Sequence, residues 1–184
     1  MIDLDSAWTH MINAGAGHRA LVDWAMINLS QIAVPLLIVS VALQWWWSRN
    51  PRAENRHIIV ATGLSFGLGL LLNQLILLIV QRPRPYLEGV THLLISPSSD
   101  PSFPSDHATA TFAIAAAFLV HREFRRGALF LLAAILVSLS RVYIGTHYLS
   151  DVVGGAVTGL LAAILVKLTY RPGTRVDRYL VHIF

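Results

Sequence analysis

Residues 104–120 read PSDHATATFAIAAAFLV. An uncharged run follows a segment suited to starting a helix: Pro104 precedes or opens the first turn, and Ser105 or Asp106 caps it. The spacing predicts a helix with free backbone N–H groups, a hydroxyl and an imidazole gathered at its N-terminus. Such an end attracts anions, phosphate above all. A capped helix with a plain surface histidine has the same local pattern, so the flanking chain decides between the two.

That chain is unusually apolar. Of 184 residues, 55% are hydrophobic and only 13% charged, with a mean hydropathy of +0.59; soluble domains carry about 25% charge. A single polytopic membrane domain over residues 1–184 is expected, an all-α helical bundle with about five spans of roughly 20 residues. With no Cys, disulfides and thiolate chemistry are excluded. Lys and Arg number 14 against 10 Asp and Glu. They lie mostly in short loops, which points to membrane topology rather than to a nucleic-acid partner. No basic stretch precedes the first apolar residues and no cleavage site is evident, so no signal peptide is expected.

Outward from residue 104 the spans follow in order. Residues 1–19 are too polar to cross and read as an interfacial helix, with Leu4, Trp8, Met11 and Ile12 on one face and a break at Gly15-Ala16-Gly17. Spans are expected at 21–47, 57–80, 105–122, 127–143 and 151–170. The first carries Pro35 as a potential kink and ends in Trp45-Trp46-Trp47, an aromatic belt followed by arginines. A nucleic-acid stacking platform is the weaker reading, because the tryptophans end an apolar run. The second has Gly63, Gly67 and Gly69 for close helix contact, Asn73 and Gln74 in its lower half, and a stop at Pro83 and Pro85. Residues 87–102, with Pro97, Pro101, Asp100 and several serines, form a loop long enough to be a rim or lid. The fifth span has Gly154, Gly155 and Gly159 near one side and stops at Pro172-Gly173.

Charge assigns the sides. Arg49, Arg52 and Arg56, then Arg122, Arg125 and Arg126, then Lys167, Arg171, Arg175 and Arg178 fall at alternate span ends. The positive-inside rule makes these cytoplasmic. Residues 82–107 and 141–151 are then extracytoplasmic, and the unusual polar residues converge there.

Those residues form a phosphate-handling set. Arg84 offers a bidentate fork, and Arg82 is a further candidate; either guanidinium would alternatively reach lipid phosphates. Arg141 is a charge inside an apolar span, costly unless it is paired or lines a polar cavity. A salt bridge to Asp151 is the structural alternative. His147 and Asp151, four apart, share a face if both are helical. The carboxylate would then hold one ring nitrogen and leave the other to attack; a plain core hydrogen bond is the alternative. No cluster of metal ligands is evident, and no metal or cofactor is expected. Two separated histidines, one orienting carboxylate and several arginines fit in-line phosphoryl transfer through a phosphohistidine.

Arg84-Pro85, Pro104-Ser105-Asp106-His107, and Ser140-Arg141 with His147 and Asp151 resemble the three signatures of the type 2 phosphatidic acid phosphatase (PAP2) superfamily, in the same order and sidedness. The resemblance implies His147 as nucleophile, Asp151 as its orienting partner and His107 as the acid for the leaving group. It also implies a phosphate cradle of Arg84, Ser105, Arg141 and the Asp106 N–H. Two positions depart from the pattern. The Lys seven residues before the signature Arg is Leu77 here, with Arg82 as a candidate replacement, and the usual Gly between Ser and His is Asp106. The segment Phe103–His107 is similar to the bacitracin-resistance (BcrC-like) branch of undecaprenyl-diphosphate phosphatases. The resemblance therefore implies hydrolysis of undecaprenyl diphosphate by a multi-pass membrane enzyme. Phosphatidic acid, phosphatidylglycerophosphate or lipid A are the alternative substrates, and transfer to an acceptor hydroxyl is the alternative reaction. A transporter or scaffold with a buried ionic network and a haloperoxidase-like protein sharing the anion cradle are the readings from other classes.

Overall fold

The computed structural model describes residues 4–46 and 52–181. Trp47 and Arg49, placed above at the first membrane boundary, lie outside the described residues, as do residues 1–3 and the side chain of Arg52. The helices are α1 (Leu4–Asn13), α2 (Ala20–Leu43), α3 (Arg52–Leu77), α4 (Asp106–Val120), α5 (Phe124–Tyr143), α6 (Leu149–Thr169) and α7 (Arg175–Val181). No strand occurs among the described residues.

Four helices, α2, α3, α5 and α6, are long and apolar enough to cross a bilayer. Their large side chains point outward: Leu36, Leu71, Leu75, Leu132, Leu136, Val157 and Leu161 are all exposed. In water this would be a liability; against acyl chains it is the expected surface. The third predicted span, α4, has 15 residues and is about 22 Å long at 1.5 Å per residue. It packs against α3, α5 and α6, and Ala108–Thr111 and Ala113–Phe118 are buried. Small Ala and Thr side chains on every face let three neighbours approach this one rod.

The closest approach is between α4 and α6. A Cβ on Gly155 would stand 2.5 Å from the Ser105 carbonyl oxygen, and one on Gly159 would stand 2.6 Å from the Thr109 carbonyl oxygen. Neither position has room for a side chain. The contact sets the N-terminus of α4 beside that of α6, where Asp106, His107 and Asp151 lie.

Several boundaries differ from the sequence reading. The fourth span begins at Phe124, so the basic turn shrinks to 121–123, with Arg122 at a φ of 63°. The second span starts before its expected first residue, at Arg52. A helix not foreseen, α7, follows Pro172-Gly173 and folds back on α3: Asp177 takes hydrogen bonds from His57 Nδ1 (2.7 Å), Tyr170 Oη (2.6 Å) and the Gly173 N–H (2.7 Å). At the other end α1 exposes Leu4, Trp8 and Met11 and turns its polar face to α6. Asp5 Oδ1 accepts from the Ser150 N–H (2.9 Å) and Thr9 Oγ1 from the Leu149 N–H (2.9 Å). Two of the four N–H groups that a helix start leaves unpaired are thereby satisfied.

Gly159→Val should test the α4–α6 contact. Forcing a branched side chain against the α4 backbone should cost about 1–3 kcal/mol or more and lower the melting temperature in detergent. Gly63→Val, whose site meets nothing within 4 Å, should leave the melting temperature nearly unchanged.

Candidate active site

Three segments meet at the α1 end of the bundle: the turn after α3, the loop leading into α4, and the α5–α6 junction. They enclose a cavity of about 480 Å³ whose lining includes Leu77, Arg84, Asp106, His107, Arg141 and His147. Residues far apart in sequence are thus brought to one place. Ile95, Ser96, Ser98, Asp100 and Pro101 of the long loop form one wall, so that loop is a rim of the site.

His147 is not helical. It stands in the turn before α6, so the helical i,i+4 geometry considered from sequence does not apply. Its Nδ1 lies 2.8 Å from the Ser102 carbonyl oxygen and 3.5 Å from Asp151 Oδ2. Both atoms only accept, so Nδ1 carries the proton and Nε2 carries the lone pair. The ring is therefore fixed first by a backbone carbonyl and second by the carboxylate. Burial pushes the His147 pKa below its ordinary value, with the Arg141 and Arg84 charges acting in the same direction; the Asp151 hydrogen bond opposes them and is outweighed. The neutral imidazole is the form a nucleophile requires.

Asp151 is completely buried. Oδ2 accepts from the Ser102 hydroxyl and from the Tyr148 N–H at 2.8 Å, closing a capping box on α6, and Oδ1 accepts from Arg82 Nη1 at 2.8 Å. The Arg141–Asp151 salt bridge weighed from sequence is not formed. Asp151 is paired with Arg82 instead.

That pairing removes Arg82 from the role offered to it. Its Nη2 binds Asp5 Oδ2 at 2.7 Å, its Nη1 also reaches Ser150 Oγ at 2.6 Å, and its guanidinium lies 3.7 Å over the Tyr148 ring. It does not line the cavity. Its Nη1 and Nη2 are engaged with Asp151, Ser150 and Asp5 away from the cavity, so in this arrangement Arg82 is no substitute for the Lys replaced by Leu77.

Arg84 and Arg141 do face the cavity. Arg84 is braced by the carbonyls of Asp100 (Nε, 2.8 Å) and Thr146 (Nη1, 3.1 Å). Arg141 Nη1 donates to Ser30 Oγ at 2.6 Å, and its Nε is buried without a partner. Ser105 occupies the N-cap position of α4 but makes no capping bond with its side chain, and its buried Oγ is likewise unpartnered. Buried polar groups are seldom left so unless a ligand or water completes them.

From sequence, Asp106 is expected to cap α4 or to pair with Arg82 or Arg84. It does neither: Oδ1 accepts from Asn73 Nδ2 at 2.8 Å, and the same amide nitrogen is 2.9 Å from Thr109 Oγ1. Four positioning residues were not assigned to the site from sequence. Ser102 and Asp5 are ordinary loop and helix polar residues. Ser30, a single hydroxyl in an apolar span, holds Arg141. Asn73 was conspicuous as a polar residue in the second span, but its partner was not.

The PAP2 superfamily model matches residues 58–175. The chain is 32% identical to undecaprenyl-diphosphatase BcrC of Bacillus subtilis over 148 residues, 80% of this chain and 75% of that one. It is 38% identical to phosphatidylglycerophosphatase B of Bacillus subtilis over 114 residues, 56% of this chain and 54% of that one. Among solved structures, the transmembrane PAP2-type phosphatidylglycerolphosphate phosphatase of Bacillus subtilis superposes with a TM-score of 0.66 at 25% identity, covering 93% of this chain and 86% of the other. The signatures, the helical bundle and these similarities agree, and the chain belongs to the PAP2 superfamily as a phosphatase built into the membrane.

Proposed function

We propose that the chain hydrolyses undecaprenyl diphosphate to undecaprenyl phosphate on the extracytoplasmic face, through a phosphohistidine on His147. The observation that carries the chemistry is the state of His147. Its Nδ1–H is held at 2.8 Å by a carbonyl, its pKa is lowered by burial, and its cavity is shared with two arginines and a second histidine. The substrate is supported by the likeness to BcrC over most of both chains.

In this reading the terminal phosphoryl group lies between Arg84 and Arg141 and accepts from Ser105 Oγ and the N–H groups at the start of α4. Nε2 of His147 attacks phosphorus, and the bond to the bridging oxygen breaks. His107 gives its proton to that oxygen as undecaprenyl phosphate leaves. Water then attacks the phosphohistidine and returns a proton to His107, and orthophosphate departs. The positive charge comes from arginines and helix N–H groups, so turnover is expected to persist in chelator. Likeness to the Bacillus phosphatidylglycerophosphatases favours a second reading with the same chemistry on a glycerolipid phosphate; phosphatidic acid, lipid A and an acceptor hydroxyl in place of water remain within it. A kinetic panel on the purified protein decides between them by relative kcat/KM.

The covalent step is tested by rapid-quench trapping of 32P-labelled protein in alkali. His147→Ala should abolish label and turnover together, while His107→Ala should slow turnover by about 10²–10⁴-fold, less for a substrate whose leaving group needs no proton. Label in His147→Ala but none in His107→Ala would reverse the two roles.

Arg82 is assigned a positioning role through Asp151. Arg82→Ala should lower kcat with little change in KM, Arg82→Lys should restore part of it, and the melting temperature should fall as the buried carboxylate loses its partner. A KM that rises in step with the loss would make Arg82 a phosphate contact after all.

Sidedness follows from the arginine clusters at alternate helix ends. In intact cells Ser99→Cys should be labelled by an impermeant maleimide and Thr174→Cys should be protected; the opposite pattern would invert the topology.

A further inference from the structure

At the end of the bundle away from His147 lies a second cavity, of about 470 Å³, between the starts of α3 and α7 and the ends of α4 and α6. Glu54, His57, His121, Lys167, Asp177 and Arg178 are among its lining. Nothing in the proposed phosphatase chemistry uses these groups.

The two imidazoles are held in a specific way. His57 Nδ1 is 2.7 Å from Asp177 Oδ1, and His121 Nδ1 is 2.8 Å from the Ala117 carbonyl oxygen. Both partners only accept, so each Nδ1 carries a proton and each Nε2 is left for something else. Both Nε2 atoms are buried and unpartnered, and His57 as a residue is 4% exposed. The His57 ring is clamped as well: it stacks on Tyr170 at 4.7 Å, and His121 meets it edge-on at 5.4 Å. Burial works against the Asp177 carboxylate, but hydrogen bonds from Tyr170, His57 and Gly173 outweigh it and keep the group below its ordinary pKa. Two oriented imidazoles with unsatisfied nitrogens in one cavity make a built site rather than a packing remnant.

Charge selects the ligand. Lys167 and Arg178 line the cavity, Arg56 is the neighbour of His57 in α3, and Arg122, Arg125, Arg126, Arg171 and Arg175 belong to the same end of the bundle. Against them stand Glu54, Glu123 and Asp177. Such a field repels a cation and concentrates anions, and among the described residues no group of three or more His, Asp or Glu gathers to hold a metal. Burial lowers the His121 pKa, and the Lys167 and His57 charges add to that despite the Ala117 hydrogen bond, so His121 Nε2 is an acceptor. A singly protonated phosphate monoester matches all three groups. Its P–O–H donates to His121 Nε2, its charged oxygens accept from Lys167 Nζ, and His57 Nε2 is the third contact.

We propose that this cavity is a second binding site, for a terminal phosphate group that keeps one P–O–H, with Lys167, His57 and His121 as its contacts. The group arrives either as inorganic phosphate or as the phosphomonoester headgroup of an anionic lipid.

The test uses the full chain in detergent with 15N-labelled histidine, each resonance assigned by a His→Gln variant. Inorganic phosphate and a dihexanoyl phosphonate analogue of phosphatidic acid, which resists hydrolysis, are titrated separately. The Nε2 resonances of His57 and His121 should shift and saturate. Lys167→Met should raise the midpoint about tenfold, as expected for losing a charge-assisted hydrogen bond, while the response of His147 at the other end stays as in the parent. Shifts with both probes support a site that reads the phosphate group alone; shifts with the analogue only support the lipid as its source. If neither probe moves these resonances, if Lys167→Met and His121→Gln both leave the midpoint unchanged, or if Zn²⁺ moves them and phosphate does not, the proposal is wrong.

Discussion

The constraint on which the site end depends is the buried carboxylate of Asp151. A lone charge in the apolar interior of a membrane bundle is far too costly to keep, so the fold surrounds this one with donors. Arg82 supplies the opposite charge, Ser102 a hydroxyl and Tyr148 a backbone N–H. Each donor belongs to a different stretch of chain, so satisfying one group ties together the turn after α3, the loop before α4 and the start of α6. Arg82 extends the network to Asp5, and Asp5 in turn caps α6 through Ser150. Losing one partner of such a buried pair typically costs about 3–5 kcal/mol. Here that loss would also release the segments that frame His147.

The second condition is the close approach of α4 and α6. Gly155 and Gly159 face backbone atoms with no room for a Cβ, and α4 itself is built from Ala and Thr. Without a hydrophobic driving force between helices in lipid, packing of this kind is the main source of association. It also places the starts of α4 and α6, which frame the cavity, side by side. The fold thus puts its tightest packing beneath the site and leaves the looser, leucine-rich faces to the acyl chains.

The sequence carried the architecture because membrane helices declare themselves locally. Apolar runs and proline stops give spans and ends without tertiary knowledge, and α2, α3, α5 and α6 follow them to within a few residues, apart from the earlier start of α3. The residues that line the cavity were also readable, since Arg84, Asp106, His107, Arg141 and His147 sit in short contiguous signatures. What was not readable was every partner across the bundle. Arg82 looks like a phosphate ligand by residue type, yet only the fold reveals that Asp5 and Asp151 have claimed it. Ser30, Ser102 and Asn73 are single polar residues whose meaning lies in what they touch. The helix α7 was missed because its stability comes from Asp177 contacting α3, not from seven residues of propensity.

Asp106 shows how the pieces fit. A carboxylate beside a bound phosphate is repulsive, and replacing a Gly with it makes sense only if the charge is drawn aside. The Asn73 amide does this from α3, taking Oδ1 at 2.8 Å. Asn73 is itself completely buried and also bonded to Thr109, so the position is held from two directions. The backbone N–H of Asp106 is free of this arrangement and stays at the start of α4, where an anion would meet it. Leu77, on the same face of α3 four residues beyond Asn73, lines the cavity where the family pattern has a Lys. One cation is gone and one anion has been added, so Arg84 and Arg141 carry the positive charge of the cavity wall. In the proposed reading, the unpartnered Nε of Arg141 and Oγ of Ser105 are then the buried groups that a phosphate oxygen would complete.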